Sequence, residues 1–423
     1  MSPTATLAEA SARVAEQAWT QPADFAVAPD RALAPQPHMP APVPAKVTIE
    51  VAAGARLAEI QLEWRDLLAR AEAPNVFMHP VLIALSACYP GTRSLALLAW
   101  RDQAGGPQLV GVWAFVVGRA PRSVIPISVL AAPTFAHAYL STPAIDRDAL
   151  DETLHAMIDC IANEPGLPKI IALDAMREDG ATMQALDRVL ASRNSAPCML
   201  RRSSRPMLAS KLDGKQYMEK ALSGSSRKKL RQHRRRLAEK GVLESKIISE
   251  PETVAAALED FLSLEVAGWK GRKGTALLCN PADATFAREM VAALASHGDA
   301  WIHALYLDGR PAGMQIVLRA GTTAFTWKTA YDEALQDFSP GMLLLEDYTG
   351  ALLADPRIAC VDSCSYDDSS FMAAWGERQA MAELWFDARR GGSVAFAHIS
   401  RLQDAYLRLR AQVKAAYRAG RRR

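Results

Sequence analysis

Residues 323–365 carry a strand, a helix and a second strand in close succession, and this order limits what the chain can fold into. Residues 323–330 alternate apolar and polar side chains, which predicts a β-strand. An apolar run that opens at Ser339-Pro340-Gly341 and ends near Ala354 predicts a helix, and residues 358–365 predict the next strand. Strands joined through a helix in this way favour a parallel pair, so we expect a sheet with helices packed on it.

The start of this helix is a candidate anion site. The first turn of a helix carries unpaired N–H groups and a partial positive charge, and both attract phosphate. Ser339 can be the N-cap, Pro340 suits the first helical position, and Gly341 lets a ligand approach the backbone. Acidic residues come only later, at Glu346 and Asp347. The alternative interpretation is that Ser-Pro-Gly simply begins a helix well.

Length and composition place the chain among globular proteins. Its 423 residues allow about two or three domains, and 50% of them are hydrophobic while 22% are charged. No apolar run reaches the roughly 18 residues of a membrane span, and the N-terminus lacks a secretory signal pattern. The six cysteines form no CxxC pair, and no zinc or calcium ligand set has usable spacing. These observations predict a cytoplasmic protein with reduced thiols and no metal.

The net charge of +3 is spread unevenly. Residues 227–240 hold eight Lys or Arg and one Glu, and the last six residues hold four Arg. The predicted helix 223–240 has Leu230 and Leu237 seven residues apart, with basic side chains over most of its other faces. It predicts either a solvated face or a surface for an anionic partner such as a sugar nucleotide, anionic polysaccharide, lipid head groups or RNA. Without interleaved aromatic residues, stacking of single-stranded nucleic acid is not supported.

The chain divides into two halves with a similar order of elements. Residues 1–45 hold eight prolines among many alanines and predict a disordered leader. Residues 46–210 and 211–397 each predict a strand, helices, a strand hairpin, a helix and a strand. This order indicates one α/β (or α+β) fold used twice. Residues 398–423 predict a helix with a basic tail.

Four spaced motifs and the element order resemble one known family. The motifs are SRKKLRQHRRRLAEKG from Ser226, GWKGRKGTAL from Gly268, YDEALQDFSPGMLLL from Tyr331 and VDSCSYDDSSFMAAWG from Val361. They resemble the CelD-like GNAT acyltransferases associated with cellulose and exopolysaccharide synthesis, and WRDLLARAEAPNVFMHP from Trp64 is similar to that family's N-terminal half. The family is distantly similar to the tandem-GNAT peptidoglycan aminoacyltransferases. The resemblance implies a tandem GNAT-like acyl-CoA N-acyltransferase fold, with mixed central sheets flanked by helices.

The resemblance also implies roles for particular residues. It assigns a pyrophosphate loop for acetyl-CoA or another acyl-CoA, which backbone N–H groups would hold. The residues so assigned are Ser339, Pro340, Gly341 and Met342. It implies direct transfer, in which a base takes a proton from the acceptor and backbone groups of a strand polarise the thioester carbonyl. Trp269, Lys270 and Arg272 lie in a Gly-rich loop, either over the acceptor cleft as substrate-binding residues or as an ordinary charged surface turn.

Candidate catalytic groups follow the last strand of the opening unit. Relatives commonly carry Tyr-Lys after an acidic cluster, whereas this chain has Phe371-Met372 there. The cluster itself remains, so Asp362, Tyr366 and Asp367 are the candidates for the catalytic roles. Asp362 falls near the C-terminal end of a predicted strand, where α/β sheets place ligand groups, and its alternative role is to cap a loop. His303 lies on an apolar strand face and is expected in the core rather than as a base.

Three functions are compatible with the sequence. The first is an enzyme that uses acyl-CoA to acylate an amine or hydroxyl of a sugar or polysaccharide precursor. The second is a transferase that uses aminoacyl-tRNA, with the basic helix 223–240 in contact with RNA. The third is a non-catalytic scaffold of a cellulose or exopolysaccharide synthesis assembly, which the Phe371-Met372 departure favours. Binding of CoA would separate the first from the others, and a salt-sensitive tRNA complex would identify the second.

Overall fold

Residues 46–89, 91–120, 123, 125–365 and 371–420 are described by the structure, which is a computed structural model. The predicted leader, residues 1–45, lies outside the described residues, and so do the catalytic candidates Tyr366 and Asp367. None of the described helices is long and apolar enough to cross a membrane.

The first half confirms the predicted alternation of helices and strands. Its strands are β1 (Val47–Ala52), β2 (Ser94–Gln103), β3 (Gly106–Arg119), β4 (Ser128–Ala132), β5 (Ala144–Ile145), β6 (Ile170–Arg177) and β7 (Cys198–Leu208). Its helices are α1 (Ala55–Glu59), α2 (Gln61–Arg70), α3 (Pro80–Ala87), α4 (Leu150–Asn163) and α5 (Ala181–Ser192). The hairpin predicted around a Gly-rich turn is the antiparallel pair of β2 and β3.

The second half contains the strand–helix–strand unit that the sequence predicts for residues 323–365. Its strands are β8 (Leu243–Ile248), β9 (Ala300–Leu307), β10 (Arg310–Ala320), β11 (Thr323–Tyr331), β12 (Cys360–Asp362) and β13 (Glu377–Asp387). Its helices are α6 (Gly214–Ala221), α7 (Gly224–Ala238), α8 (Pro251–Ala267), α9 (Trp269–Arg272), α10 (Pro281–Ala295), α11 (Pro340–Ala354) and α12 (Val394–Gly420). A 3-10 helix, Glu333–Phe338, lies between β11 and α11. β11, α11 and β12 form the predicted unit with parallel strands.

Two elements were missed by sequence periodicity, β7 and α6. β7 carries three arginines and Pro206, and such a segment lacks the apolar alternation that identifies a strand. It still pairs on both sides in the sheet, because neighbouring strands supply acids to its cations. Arg201 Nε lies 3.5 Å from Glu383 Oε2 of β13, and Arg205 Nη1 lies 3.2 Å from Asp362 Oδ1 of β12.

Two segments differ from the sequence prediction near the site. The predicted strand 358–365 is much shorter, because β12 ends at Asp362 and the carboxylate of Asp362 accepts the N–H of Cys364 at 2.8 Å. Cys364 then takes a positive φ of 53°, which is incompatible with an extended strand. The Gly-rich loop predicted over the acceptor cleft contains the short helix α9.

The strands of both halves join in one mixed sheet. Its order among the described strands is β1-β2-β3-β4-β6-β13-β7-β12-β11-β10-β9-β8, and β5 pairs with β3. From either edge, four antiparallel strands lead to one parallel pair, which is β4 with β6 in the first half and β11 with β12 in the second. β7 and β13 lie antiparallel between the two sets. The same pattern thus occurs twice, which confirms the α/β fold with a mixed sheet and a doubled order of elements.

Apolar clusters cover both faces of the sheet in the second half. One face packs against α6, α7 and α11, and the other against α8 and α10. The first half also reaches this second face, where the rings of Phe77 and Phe325 lie 5.5 Å apart and those of Phe135 and Phe286 lie 4.7 Å apart. Such aromatic pairs add to the stabilisation that burial gives. They hold residues 133–143, the segment that follows β4, close to β11.

Candidate active site

β11 and β12 pair only over their first residues. The paired positions are Thr323 with Cys360, Ala324 with Val361, and Phe325 with Asp362. β12 then ends, whereas β11 continues to Tyr331, and no described strand accompanies it on that side. The carbonyl of Thr329 accepts from Nζ of Lys270 at 2.8 Å instead of from a strand. An open strand edge of this kind can bind an extended ligand through its backbone groups.

α11 begins beside the end of β11. Ser339 takes the predicted N-cap position, but its side chain accepts no hydrogen bond there, because its backbone is left-handed (φ 51°, ψ 55°) rather than extended. The first turn contains no acidic residue. The N–H of Met342 reaches only the carbonyl of Ser339, at 3.0 Å, and that of Gly341 meets no acceptor among the described residues. A Cβ at Gly341 would lie 3.6 Å from the ring of Tyr331, so the helix start adjoins the open edge.

The basic helix α7 packs against α11. Arg234 reaches across to α11, where its guanidinium lies 2.6 Å from Asp347 and 3.1 Å from Glu346. The cations of Arg236 and Lys240 lie 5.8 Å and 5.4 Å from the ring centroid of Phe338, directly before the start of α11. Other basic side chains of this helix are exposed, namely Lys228, Lys229, Arg231 and Arg235. The structure therefore brings positive charge to the same end of α11 at which the N–H of Gly341 lacks an acceptor among the described residues.

A small open cleft lies between α8, α9 and the last residues of β11. Two of the three predicted substrate-binding residues, Trp269 and Lys270, line it. Lys270 Nζ lies 2.8 Å from Oε1 of Glu265, whose side chain is fully buried. Trp269 is 43% exposed and is the most accessible aromatic group of the cleft. The site thus has an aromatic surface above a buried ion pair.

Two hydrogen bonds to Glu333 fix α9 in place. The N–H of Trp269 donates to Oε1 of Glu333 at 2.5 Å, and Arg272 Nη2 donates to Oε2 of the same carboxylate at 2.6 Å. The pKa of Glu333 is lowered by the hydrogen bond from Arg272 and by that from the Trp269 backbone. Arg272 is therefore held at the rim of the cleft, where it orients α9.

Asp362 is fully buried at the point where the strands part. Its carboxylate lies 3.2 Å from Nη1 of Arg205 and 3.8 Å from Nη2 of Arg177, and it accepts the N–H of Cys364. These contacts occupy the carboxylate and leave it no exposed surface for an acceptor. The geometry favours the loop-capping role over that of the base.

The positions of the family's Tyr-Lys are filled by apolar contacts. Met372 is 5% exposed, and its sulfur accepts the hydroxyl of Tyr348 at 3.1 Å. Phe371 packs beside the same cluster, which also contains Trp375. Phe371 and Met372 therefore contribute core packing at the positions where relatives have the phenol of a tyrosine and the ammonium of a lysine.

His303 lies in the core, as its strand pattern predicts. It is 4% exposed, and Trp301 donates its indole N–H to Nε2 of His303 at 2.9 Å. Burial lowers the pKa of His303 to about 4, so the ring is neutral near pH 7. A neutral ring that is almost fully buried and already accepts from Trp301 agrees with the predicted core role.

A buried lysine on β11, missed by sequence analysis, lies behind the cleft. Lys328 is 9% exposed, and its Nζ lies 3.1 Å from Nδ1 of His137 in the segment that follows β4. Nε2 of His137 lies 3.3 Å from Oδ2 of Asp283 on α10, although not aligned as a hydrogen bond. Tyr89 donates its hydroxyl to Oδ1 of the same carboxylate at 2.9 Å. Burial lowers the pKa of Lys328 to about 8.

The pKa of Lys328 makes stability depend on pH. Because an unfolded lysine titrates near 10.5, the unfolded chain binds more protons than the folded protein between about pH 8 and that value. The free energy of unfolding due to Lys328 therefore rises across this window, by on the order of 3 kcal/mol at about 1.4 kcal/mol per pKa unit. We expect Lys328→Met to lose this rise. Urea unfolding of both proteins from about pH 7.5 to 10.5 measures it, and parallel curves would contradict the lowered pKa.

Metal ligation has no structural basis in the described part of the chain. Nowhere in it do three His, Cys, Asp or Glu side chains come together as a ligand set. The polar groups near the cleft are instead ion pairs and hydrogen bonds between side chains and backbone.

Comparison with known proteins agrees with this geometry. Residues 224–368 match the profile of a family described as acetyltransferase (GNAT) domain. Among solved structures, FemX aligns with a TM-score of 0.55 at 12% identity, over 83% of this chain and 100% of its own. A tandem GNAT protein from the clavulanic acid biosynthesis pathway aligns over 80% of this chain and 98% of its own at 14% identity, with a TM-score of 0.43. No curated protein matches the chain by sequence.

The profile match concerns residues 224–368, whereas the structural similarity concerns the fold of the chain. At 12% identity, FemX shows the fold alone. The profile match covers the chain from α7 past β12, and so includes the open edge of β11 and the start of α11. Residues 224–368 therefore match the GNAT acetyltransferase domain within a fold similar to that of FemX, and this match identifies the protein as an acyltransferase.

Proposed function

We propose that the protein transfers an acyl group, in the first instance acetyl, directly from acyl-CoA to an amine or hydroxyl. In this proposal the pyrophosphate of CoA binds at residues 339–342, where the N–H of Gly341 has no acceptor among the described residues, and the pantetheine chain follows the open edge of β11. The main support is that β11 and β12 stop pairing after Phe325, beside the start of α11, and that the first turn of α11 has no acidic residue. A ligand with an anionic end and an extended amide chain fits both features.

The charge near α11 supports the anionic end of this ligand. Arg236 and Lys240 lie over Phe338, immediately before the helix start, and neither has an acidic partner in the described part of the chain. They are placed to meet phosphate groups that extend beyond the reach of the backbone N–H groups. Arg234 contributes less, because Glu346 and Asp347 already neutralise it.

The acceptor in this proposal enters the cleft beside α9. Trp269 offers an exposed ring face, against which the apolar face of a sugar can pack. Lys270 and Glu265 can form hydrogen bonds with the hydroxyl or amine groups of the acceptor if the hydrogen bond between these two side chains breaks. A sugar or polysaccharide precursor suits these groups, and the resemblance to CelD-like enzymes of cellulose and exopolysaccharide synthesis supports that choice.

A second candidate donor is aminoacyl-tRNA. The observation in its favour is the exposed basic face of α7, which provides four to six cations beside the proposed donor site. A phosphate backbone would release counterions on binding such a face, so its affinity would fall steeply with salt. The absence of interleaved aromatic residues in α7 gives no support to base stacking.

Calorimetric titration with acetyl-CoA tests the proposal. We expect a one-to-one complex that Lys240→Gln weakens by about threefold to tenfold, the scale of one charge-assisted hydrogen bond. Lys246→Gln on β8 is the matched control, because it removes the same charge at a remote exposed position and should bind like the wild type. No detectable acetyl-CoA binding would reject the proposal. A salt-sensitive complex with tRNA in the same protein would then favour the second donor.

A further inference from the structure

Four side chains from both halves of the chain form a connected polar array behind the cleft. Lys328 comes from β11 and Asp283 from α10, whereas His137 follows β4 and Tyr89 follows α3. The array is set among aromatic residues, because Trp327 donates its indole N–H to the carbonyl of His137 at 2.8 Å. Lys328 is buried and the other three side chains are partly buried. Burial of a polar group is costly unless the group is paired, so a buried lysine here is a poor replacement for apolar packing unless it has a function.

We propose that Lys328, supported by His137 and Asp283, takes up the proton that the acceptor loses during acyl transfer. The proposal rests on the proposed function, because it needs an acyl-CoA at the open edge of β11. It assigns Lys328 as a catalytic residue, and His137 and Asp283 as positioning residues.

The position of Lys328 on β11 supports this role. It lies in the part of β11 that has no strand beside it, after the last pair with β12 at Phe325. The next three residues of the strand, Thr329, Ala330 and Tyr331, line the cleft. Lys328 lies directly behind this lining, where the charges of Glu265 and Lys270 act on its amine. The bulge at Trp327 turns two successive side chains towards His137.

Burial and neighbouring charges act in opposite directions on the pKa of Lys328. Burial favours the neutral amine, and so does Lys270 of α9, whereas Glu265 of α8 and Asp283 of α10 favour the ammonium. Burial and the charge of Lys328 both lower the pKa of His137, which keeps its ring neutral. A neutral ring whose Nδ1 accepts from Lys328 carries its hydrogen on Nε2, towards Asp283. An amine with a pKa near the working pH is an effective base.

The proton balance of the step is simple. The acceptor nitrogen or oxygen forms a bond to the thioester carbonyl carbon, and the C–S bond breaks with its electron pair on sulfur. The proton of the acceptor moves to the neutral amine of Lys328, whose ammonium then donates to Nδ1 of His137. Lys328 releases this proton to the CoA thiolate, which restores the amine and gives the free thiol. No oxidant, metal or covalent enzyme intermediate takes part.

This assignment gives the first half of the chain a role in the chemistry of the second. His137 and Lys328 are 191 residues apart, and the aromatic contacts of Phe77 and Phe135 bring them together. The first half thereby completes a site whose donor end lies in residues 224–368. A separated second half would retain the start of α11 but would lack the array.

Lysine titration followed by NMR tests the array without an acceptor. Protein labelled with ¹³C at the lysine side chains would show one signal that titrates near pH 8 and disappears in Lys328→Met. Asp283→Asn should move this midpoint to lower pH, because it removes a charge that favours the ammonium while its amide oxygen can still accept from Tyr89. Lys246→Met, at an exposed position on β8, is the control and should leave this signal in place. A Lys328 midpoint above about pH 10 would overturn the proposal.

Thiol release from acetyl-CoA tests the catalytic role. With primary amines and amino sugars as acceptors, we expect Lys328→Met to lose at least about 100-fold in rate, the lower range for a general base. It should bind acetyl-CoA within about twofold of the wild type, and Asp283→Asn should shift the rising limb of the pH–rate profile to lower pH. Lys246→Met should leave the rate unchanged. A wild type that binds acetyl-CoA but releases no thiol above the buffer rate would overturn the array proposal and keep the CoA site, whereas absent binding would reject the proposed function itself.

Discussion

Asp362→Ala is expected to lower the free energy of unfolding by about 3–5 kcal/mol, the usual cost of removing one partner of a buried ion pair. The substitution leaves Arg205 and Arg177 facing each other in the sheet without their shared anion. It also removes the acceptor of the Cys364 N–H, where the chain turns away from β12. Urea unfolding followed by circular dichroism measures the loss.

Glu259→Ala is the matched control for this loss. Glu259 pairs with Arg288 at 2.6 Å, but both side chains are about half exposed, so solvent already screens the pair. We expect a change of at most about 1 kcal/mol. If Asp362→Ala unfolds like the wild type and loses only acyl transfer, Asp362 is the base after all and the loop-capping role is wrong.

Gly341→Glu is expected to weaken acetyl-CoA binding by at least about 100-fold. The new carboxylate would stand at the proposed pyrophosphate site, where charges a few ångströms apart repel by several kcal/mol at intermediate dielectric. The fold should tolerate the change, because a Cβ at Gly341 makes only an ordinary contact with Tyr331. An acid in the first turn also suits the helix dipole, and glutamate has a higher helix propensity than glycine.

Gly341→Gln separates the charge from the size of the new side chain. It has nearly the same volume as the glutamate variant and no charge, so we expect it to keep most of the affinity. Calorimetry on both variants, with circular dichroism to verify folding, makes the comparison. Equal losses in the two variants would indicate a steric block and would leave the electrostatic argument without support.

Local sequence patterns predicted the elements that carry the donor side of the site. The alternation of residues 323–330 and the apolar run after Pro340 gave β11 and α11 nearly to the residue. The basic helix 223–240 was likewise visible, because charge density and two leucines at heptad spacing are local properties. The left-handed conformation of Ser339 was not visible in the sequence, because it depends on the orientation of the 3-10 helix that precedes it.

What the sequence did not predict near the site has a common cause. The sequence does not identify β7 as a strand, because the acids that pair with Arg201 and Arg205, Glu383 and Asp362, follow it by more than 150 residues in the chain. For Asp362 the sequence leaves both the base and the loop-capping role open, because it does not show which cations surround the carboxylate. In both cases the deciding contact is between distant residues, which periodicity does not encode.

The sequence by itself determined the doubled order of elements, the acid-free start of α11 and the uneven charge, because each follows from residues close together in the chain. Only the tertiary structure decided that β11 and β12 part after Phe325, that α7 lies against α11, and that His137 meets Lys328. The physical reason is burial. A lysine in a strand gains its chemistry from the desolvation and the neighbouring charges that folding brings to it, and these come from four separate elements.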